Sequence, residues 1–292
     1  MALWTEIAVQ IGQATGAPFG PGQAQALGGG CINAAYRFAD GARSYFVKLN
    51  EADLLEMFEA EAEGLRELAQ TGTVRVPEPL CWGVAAGQAY IVMEYLELGG
   101  SADMATFGRQ LAAMHRATQE RFGWHRDNTI GSTPQPNTPD ADWVRFWRER
   151  RLGFQLDLAA RHGHRGALQR KGGALMERFP ALFTDHTPEP SLLHGDLWSG
   201  NYAALRDGTP VILDPATYYG DREADLAMTE LFGSFGARFY AAYNEAWPLD
   251  AGYAVRKTFY NLYHVLNHLN LFGGGYGGQA ERMMDRLLAE LG

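Results

Sequence analysis

Two stretches decide how this chain is read: SLLHGDLWSGN, residues 191–201, and PVILDPATYYGD, residues 210–221. The first runs an apolar lead into His194, Gly195 and Asp196 and then reaches Asn201. The second is a β-branched strand that delivers Asp214 immediately before a proline turn. An acid or amide in a loop is most often a turn former bonded to its own backbone. Three such groups, two on one short loop and one on the next, can do more. One amide and one carboxylate suit Mg²⁺, which takes few protein ligands and completes its shell from water and phosphate. A further carboxylate, free of metal, can accept the proton of a hydroxyl. Asp196, Asn201 and Asp214 are the candidates for these roles.

Upstream lie the parts of an ATP site. Gly28, Gly29 and Gly30 stand between two predicted strands, where bare backbone can approach phosphates. The run lacks the Gly-Lys-Ser/Thr ending of a Walker loop. Lys48, in YFVKLN, closes a strand of apolar neighbours, where an ammonium needs a partner. Helical phase supplies it: in ADLLEMFEAEAEGLRELAQTG, residues 52–72, turning Phe58, Leu65 and Leu68 inward carries Glu61 with them and leaves Glu59, Glu63 and Glu67 outside. Lys48 would hold nucleotide phosphates and Glu61 would orient it. Met93, Glu94, Tyr95 and Leu96 form a strand exit and hinge whose backbone would bond adenine. In order and rough spacing these parts resemble the protein-kinase pattern, which makes Asp196 the general base and Asn201 and Asp214 the Mg²⁺ ligands, with two departures. Trp198 stands where many protein kinases carry a Lys, and Pro215 and Ala216 follow Asp214 in place of Phe-Gly. A flat apolar ring beside the base suits the C–H face of a sugar, and switching through Phe movement is not expected.

Composition limits the alternatives. The chain has 292 residues, with 25 Lys plus Arg against 34 Asp plus Glu and a formal charge of -9, which disfavours nucleic acid and anionic lipid as partners. Two cysteines, Cys31 and Cys81, give no disulfide framework and fit a reducing compartment. The opening MALWTEIAVQIGQATG has Trp4, Ile7, Ala8 and Ile11 on one helical face, with no basic segment before an apolar core. No apolar run approaches membrane-spanning length, so a cytoplasmic protein is expected. Strand signals fill the first third and helices dominate from Ala102 onward. The expected fold is α+β and two-lobed: a small β-rich ATP-binding lobe, residues 1–96, and a larger, mainly helical catalytic and substrate-binding lobe, residues 97–292. FGWHRDNTIGSTPQPNTPDADW, residues 122–143, has no periodicity and reads as a lid or a disordered connection.

The segments HGDLWSGN, DPATYYGDREADLAMTELFGSF, FVKLN, MFEAEAEGL and LNHLNLFG resemble the fructosamine kinase, or ketosamine 3-kinase, family, within the kinase-like fold shared with aminoglycoside and choline kinases. The resemblance covers nearly the whole chain. It implies ATP-dependent phosphorylation of the sugar 3-hydroxyl of a ketosamine, free or protein-bound, after which the adduct decomposes and frees the amine. It places Trp198 and His268 at the substrate and makes Cys31 a candidate redox switch, with a monomer or a redox-sensitive dimer expected. His264 and His268 are spaced to chelate zinc from one helix face, but no third ligand is apparent, and His194 and His115 read as packed histidines. Asp225 reads as a helix cap or tie, and Asp221 as the same or as a neighbour of the phosphates. The alternatives are a kinase for another hydroxyl compound (an aminoglycoside, choline or a free sugar) or a nucleotide-binding pseudokinase.

Overall fold

The computed structural model describes residues 2–20, 22–28 and 32–292, so Gly29, Gly30 and Cys31 lie outside the described residues. In chain order the elements begin α1 (Ala2–Thr15), β1 (Gln23–Leu27), β2 (Ala34–Ala39), β3 (Ser44–Glu51), α2 (Leu55–Gln70), β4 (Pro79–Ala85), β5 (Gln88–Glu94) and α3 (Met104–His115). They continue β6 (Asn128–Ile130), β7 (Thr133–Gln135), α4 (Trp143–Trp147), α5 (Gly153–Arg161), α6 (Ala167–Arg178), β8 (Ser191–Leu193), β9 (Tyr202–Ala204), β10 (Pro210–Ile212) and β11 (Tyr218–Gly220). Four helices close the chain: α7 (Glu223–Leu231), α8 (Ala237–Ala246), α9 (Tyr253–Phe272) and α10 (Tyr276–Glu290).

The chain divides into two compact units, Met1–Asp103 with Ala203–Pro215, and Met104–Tyr202 with Ala216–Gly292. This division is not a single cut near residue 96. The segment after Tyr202 belongs with the first unit because its backbone is tied there: Ile212 N–H donates to the Arg75 carbonyl at 3.0 Å and Gly99 N–H to the Ala204 carbonyl at 3.1 Å.

The first unit is built on a five-stranded antiparallel sheet of order β1-β2-β3-β5-β4. Ile7, Ala8 and Ile11 of α1 pack with Phe38, Val47, Leu49 and Val92 of the strands. Alternation along β3 therefore turns Lys48 to the opposite face from Val47 and Leu49. Helix α2 buries Phe58, Glu61, Leu65 and Leu68.

The second unit is mainly helical, with α3 against α8, and α9 packed on α5, α7 and α10. Its core is unusually aromatic: Trp143, Phe146, Trp147, Phe179, Phe259 and Tyr260 are all buried. Residues 122–143 are built into this unit and form no separate lid. β6 and β7 pair as a hairpin, Gln135 Nε2–H donates to the Ala216 carbonyl at 3.1 Å, and Asn128 Nδ2–H donates to the Thr217 carbonyl at 2.8 Å. Arg151 sits on a π turn between α4 and α5, fully buried. Its guanidinium donates to the Pro136 carbonyl at 2.6 Å and to Asn137 Oδ1 at 2.7 Å. The polar composition that reads as disorder is consumed by partners inside the protein.

Candidate active site

In the first unit Lys48 Nζ lies 2.6 Å from Glu61 Oε1 and 2.6 Å from Asp214 Oδ1. Lys48 and Glu61 are buried, whereas the Asp214 side chain is 54 % exposed. Burial alone would depress the Lys48 pKa, but the Asp214 and Glu61 carboxylates outweigh it and hold the ammonium charged. One cation faces two anions, and burial pushes the Glu61 carboxyl up despite the ammonium beside it. Asp214 sits at φ 54°, a left-handed conformation that Asp tolerates better than most residues, directly before Pro215. Engaged through Oδ1 and open to solvent, Asp214 offers a hard oxygen to a divalent cation. Met93 and Glu94 end β5, with Met93 buried and the Glu94 carboxylate ion-paired to Arg75. Tyr95 follows under the Arg37 guanidinium, 5.0 Å from the ring centroid, and Leu96 comes next. Gly28 is exposed, at the end of β1.

In the second unit β8 pairs antiparallel with β11 and leads into the loop of residues 194–201. Gly195 has φ 82°, and a Cβ there would lie 2.1 Å from the Ala216 carbonyl oxygen, so no other residue fits between His194 and Asp196. Asn201 Nδ2–H donates to the Asp196 carbonyl at 2.9 Å and to its carboxylate Oδ2 at 3.1 Å. With its amide hydrogens turned to Asp196, Asn201 retains its side-chain carbonyl oxygen as the atom it can offer to a cation. Trp198 is partly exposed and its ring lies over Gly200, where a Cβ would meet it at 2.3 Å. The rings of Trp198 and Phe232 are 6.1 Å apart, and those of Phe232 and His268 4.7 Å apart. The two residues expected at the substrate thus flank a third, Phe232, which sequence reasoning did not single out. His268 Nδ1–H donates to the His264 carbonyl at 2.8 Å, the ordinary bond of a histidine within a helix.

Asp225 does not cap its own helix. Its buried carboxylate reaches back and accepts from His194 N–H at 2.7 Å and Gly195 N–H at 2.8 Å, and from His115 Nε2 at 3.2 Å. His115 Nδ1 pairs in turn with the Tyr243 hydroxyl at 2.8 Å. Burial would raise the Asp225 pKa, but His115, His194 and the loop amides hold it below the usual carboxylate range. Asp221, two residues before α7, ties down its first residue by accepting from Glu223 N–H at 3.0 Å, while its other oxygen takes His186 Nε2 at 2.8 Å and the Tyr260 hydroxyl. No sequence signal singles out Asp225 for this role, because α7, EADLAMTEL, also carries Glu223, Thr229 and Glu230.

The family model described as fructosamine kinase matches residues 3–290 of this chain. The chain belongs to the fructosamine kinase family. Among curated relatives, a probable ketoamine kinase of Synechocystis is 52 % identical over 98 % of this chain and 97 % of its own length. The chloroplastic protein-ribulosamine 3-kinase of Arabidopsis thaliana is 48 % identical over 91 % of this chain and 82 % of its own. A crystal structure from Haemophilus somnus, assigned as a fructosamine-3-kinase, superposes with a TM-score of 0.91 at 29 % identity, covering 98 % of both chains. The choline kinase of Streptococcus pneumoniae matches at a TM-score of 0.64 and 15 % identity, a likeness of fold alone. This member of the fructosamine kinase family is an ATP-dependent kinase with a kinase-like fold. No helix among the described residues is long and apolar enough to cross a membrane.

Proposed function

We propose that this kinase transfers the γ-phosphoryl group of ATP, with Mg²⁺, to the sugar 3-hydroxyl of ketosamines. The observation that carries the reading is the loop of residues 194–201, where Asp196 is held at its carbonyl and its carboxylate by Asn201 while Asp225 pins the two preceding amides. A base restrained in this way has little freedom left to lose when it meets the acceptor hydroxyl. Asp196 takes the hydroxyl proton as the phosphoryl group arrives, and Trp198 offers an apolar face to the sugar adduct. In the first unit Lys48 holds the nucleotide phosphates, Glu61 keeps its ammonium aimed, and residues 93–96 with Gly28 receive the nucleotide. Asp214 of the first unit and Asn201 of the second would each offer an oxygen to Mg²⁺, which would supply positive charge to offset the phosphates. The ketosamine class is supported by the relatives' names, a ketoamine kinase and a protein-ribulosamine 3-kinase.

Asp196→Asn tests the reading: the amide keeps the shape and cannot take a proton. Ribulosamine phosphorylation should fall by about 10² to 10⁴, with Mg-ATP affinity by calorimetry nearly unchanged. Turnover within about threefold of the parent would remove Asp196 from this role.

A further inference from the structure

His264 is the one histidine among the described residues whose ring nitrogen is buried without a hydrogen-bond partner. It lies on α9, is 4 % exposed, and its Nδ1 is 4.0 Å from Oδ1 of Asp196. The neighbouring His268 turns its own Nδ1 onto the His264 carbonyl and does not compete for that nitrogen. Burial, with help from His268, pushes the His264 pKa down to about 3, so the ring is a neutral imidazole with one N–H. A bare nitrogen lone pair facing a carboxylate oxygen would be repelled, whereas an N–H there is attracted. The proton therefore belongs on Nδ1.

The distance is about 1 Å longer than an N–H···O bond. Asn201 holds the opposite oxygen, Oδ2, at 3.1 Å, so a small rotation of the carboxylate about that contact brings Oδ1 onto His264. Bonds of this kind in catalytic sites commonly tighten when substrate binds. Nδ1 is closed to solvent, so neither water nor an acceptor hydroxyl reaches it directly.

We infer that His264 is a positioning residue: its Nδ1–H takes Oδ1 of Asp196 during turnover and, with Asn201 on Oδ2, fixes the plane of the base toward the acceptor hydroxyl. The inference rests on Asp196 being the base. Rotation of the carboxylate away from the productive orientation is then blocked at both oxygens.

The test pairs two substitutions with one measurement on the unaltered protein. His264→Leu fills the space and removes the donor, and His264→Asn puts an amide N–H near the place of Nδ1. With a lysine ribulosamine as acceptor, His264→Leu should lower kcat by about 10-fold to 10²-fold and leave the KM for ATP within about twofold. His264→Asn should recover to within about threefold of the parent. Histidine-selective ¹⁵N NMR of the parent should show a neutral ring protonated at Nδ1. A bare Nδ1, a His264→Leu enzyme at parental kcat, or an Asn variant no better than Leu would overturn the inference. If Asp196→Asn is itself active, the base assignment has failed; if it is inactive while His264→Leu is unimpaired, only the His264 inference has.

Discussion

Replacing Asp225 by Asn probes how the loop carrying the base is held. The parent carboxylate accepts three donors: His194 N–H and His115 on Oδ2, and Gly195 N–H on Oδ1. An amide of the same shape keeps one acceptor oxygen. Its best orientation sets that oxygen where two donors converge and turns its NH₂ against the Gly195 N–H. The buried Gly195 N–H then has no acceptor, at about 1–3 kcal/mol, the NH₂ facing it has none either, and the two surviving bonds lose their charge assistance. The sum is about 3–5 kcal/mol, which at about 2 °C per kcal/mol lowers Tm by roughly 6–10 °C. Differential scanning calorimetry of both proteins at neutral pH reads this directly. The sign with pH is also determined. Because the folded pKa of Asp225 is depressed, its contribution is present above the unfolded carboxylate value and lost as pH falls through the folded one. The gap in Tm between parent and Asn variant should therefore narrow in acid. A Tm within about 2 °C of the parent at neutral pH would refute the reasoning, because three buried donors cannot lose an anion that cheaply.

Three further expectations follow the same geometry. Lys48→Met leaves the buried Glu61 carboxylate without its cation and should cost about 3 kcal/mol in urea unfolding as well as abolish phosphorylation; an unchanged midpoint would mean the pair contributes nothing to the fold. His186 faces Asp221, Glu223 and Asp250, near Arg256 and Tyr260, and both its ring nitrogens contact carboxylates, which favour its protonated form. Burial lowers its pKa but Asp221 more than offsets this, so its contribution is full below about pH 6.5 and lost as pH rises through the raised folded value. Tm measured across that range should fall on the alkaline side in the parent, and a His186→Gln variant with an equal fall would refute the assignment. Trp198→Ala should raise the acceptor KM severalfold while the ATP KM stays within about twofold, and the opposite pattern would put the indole on the nucleotide.

Much of the first unit was legible because two periodicities met. Alternation in YFVKLN and helical phase in MFEAEAEGL each place a charge on an apolar face, and two such opposite charges point to each other. The Lys48–Glu61 contact at 2.6 Å is that meeting. The partners of Asp225 were not legible, because they arrive from the loop after β8 and from α3 through tertiary packing, and no local pattern encodes them. Residues 122–143 were misjudged for a related reason. Composition counts polar groups but not their acceptors, and Arg151, Gln135, Asn128 and Asn137 find theirs inside the protein. His264 and His268 have the spacing of a chelating pair, yet one ring turns to the backbone and the other to Asp196, a choice set by side-chain rotation that spacing does not record.

The central claim is that this kinase phosphorylates the sugar 3-hydroxyl of a ketosamine. The most direct measurement incubates the protein with Mg-ATP and a lysine ribulosamine or fructosamine and locates the new phosphate by ³¹P–¹H correlation NMR. A phosphorus resonance coupled to the proton on sugar carbon 3, absent with Asp196→Asn, is the expected result. Phosphate on another hydroxyl, or transfer to choline or an aminoglycoside in preference to every ketosamine offered, would contradict it.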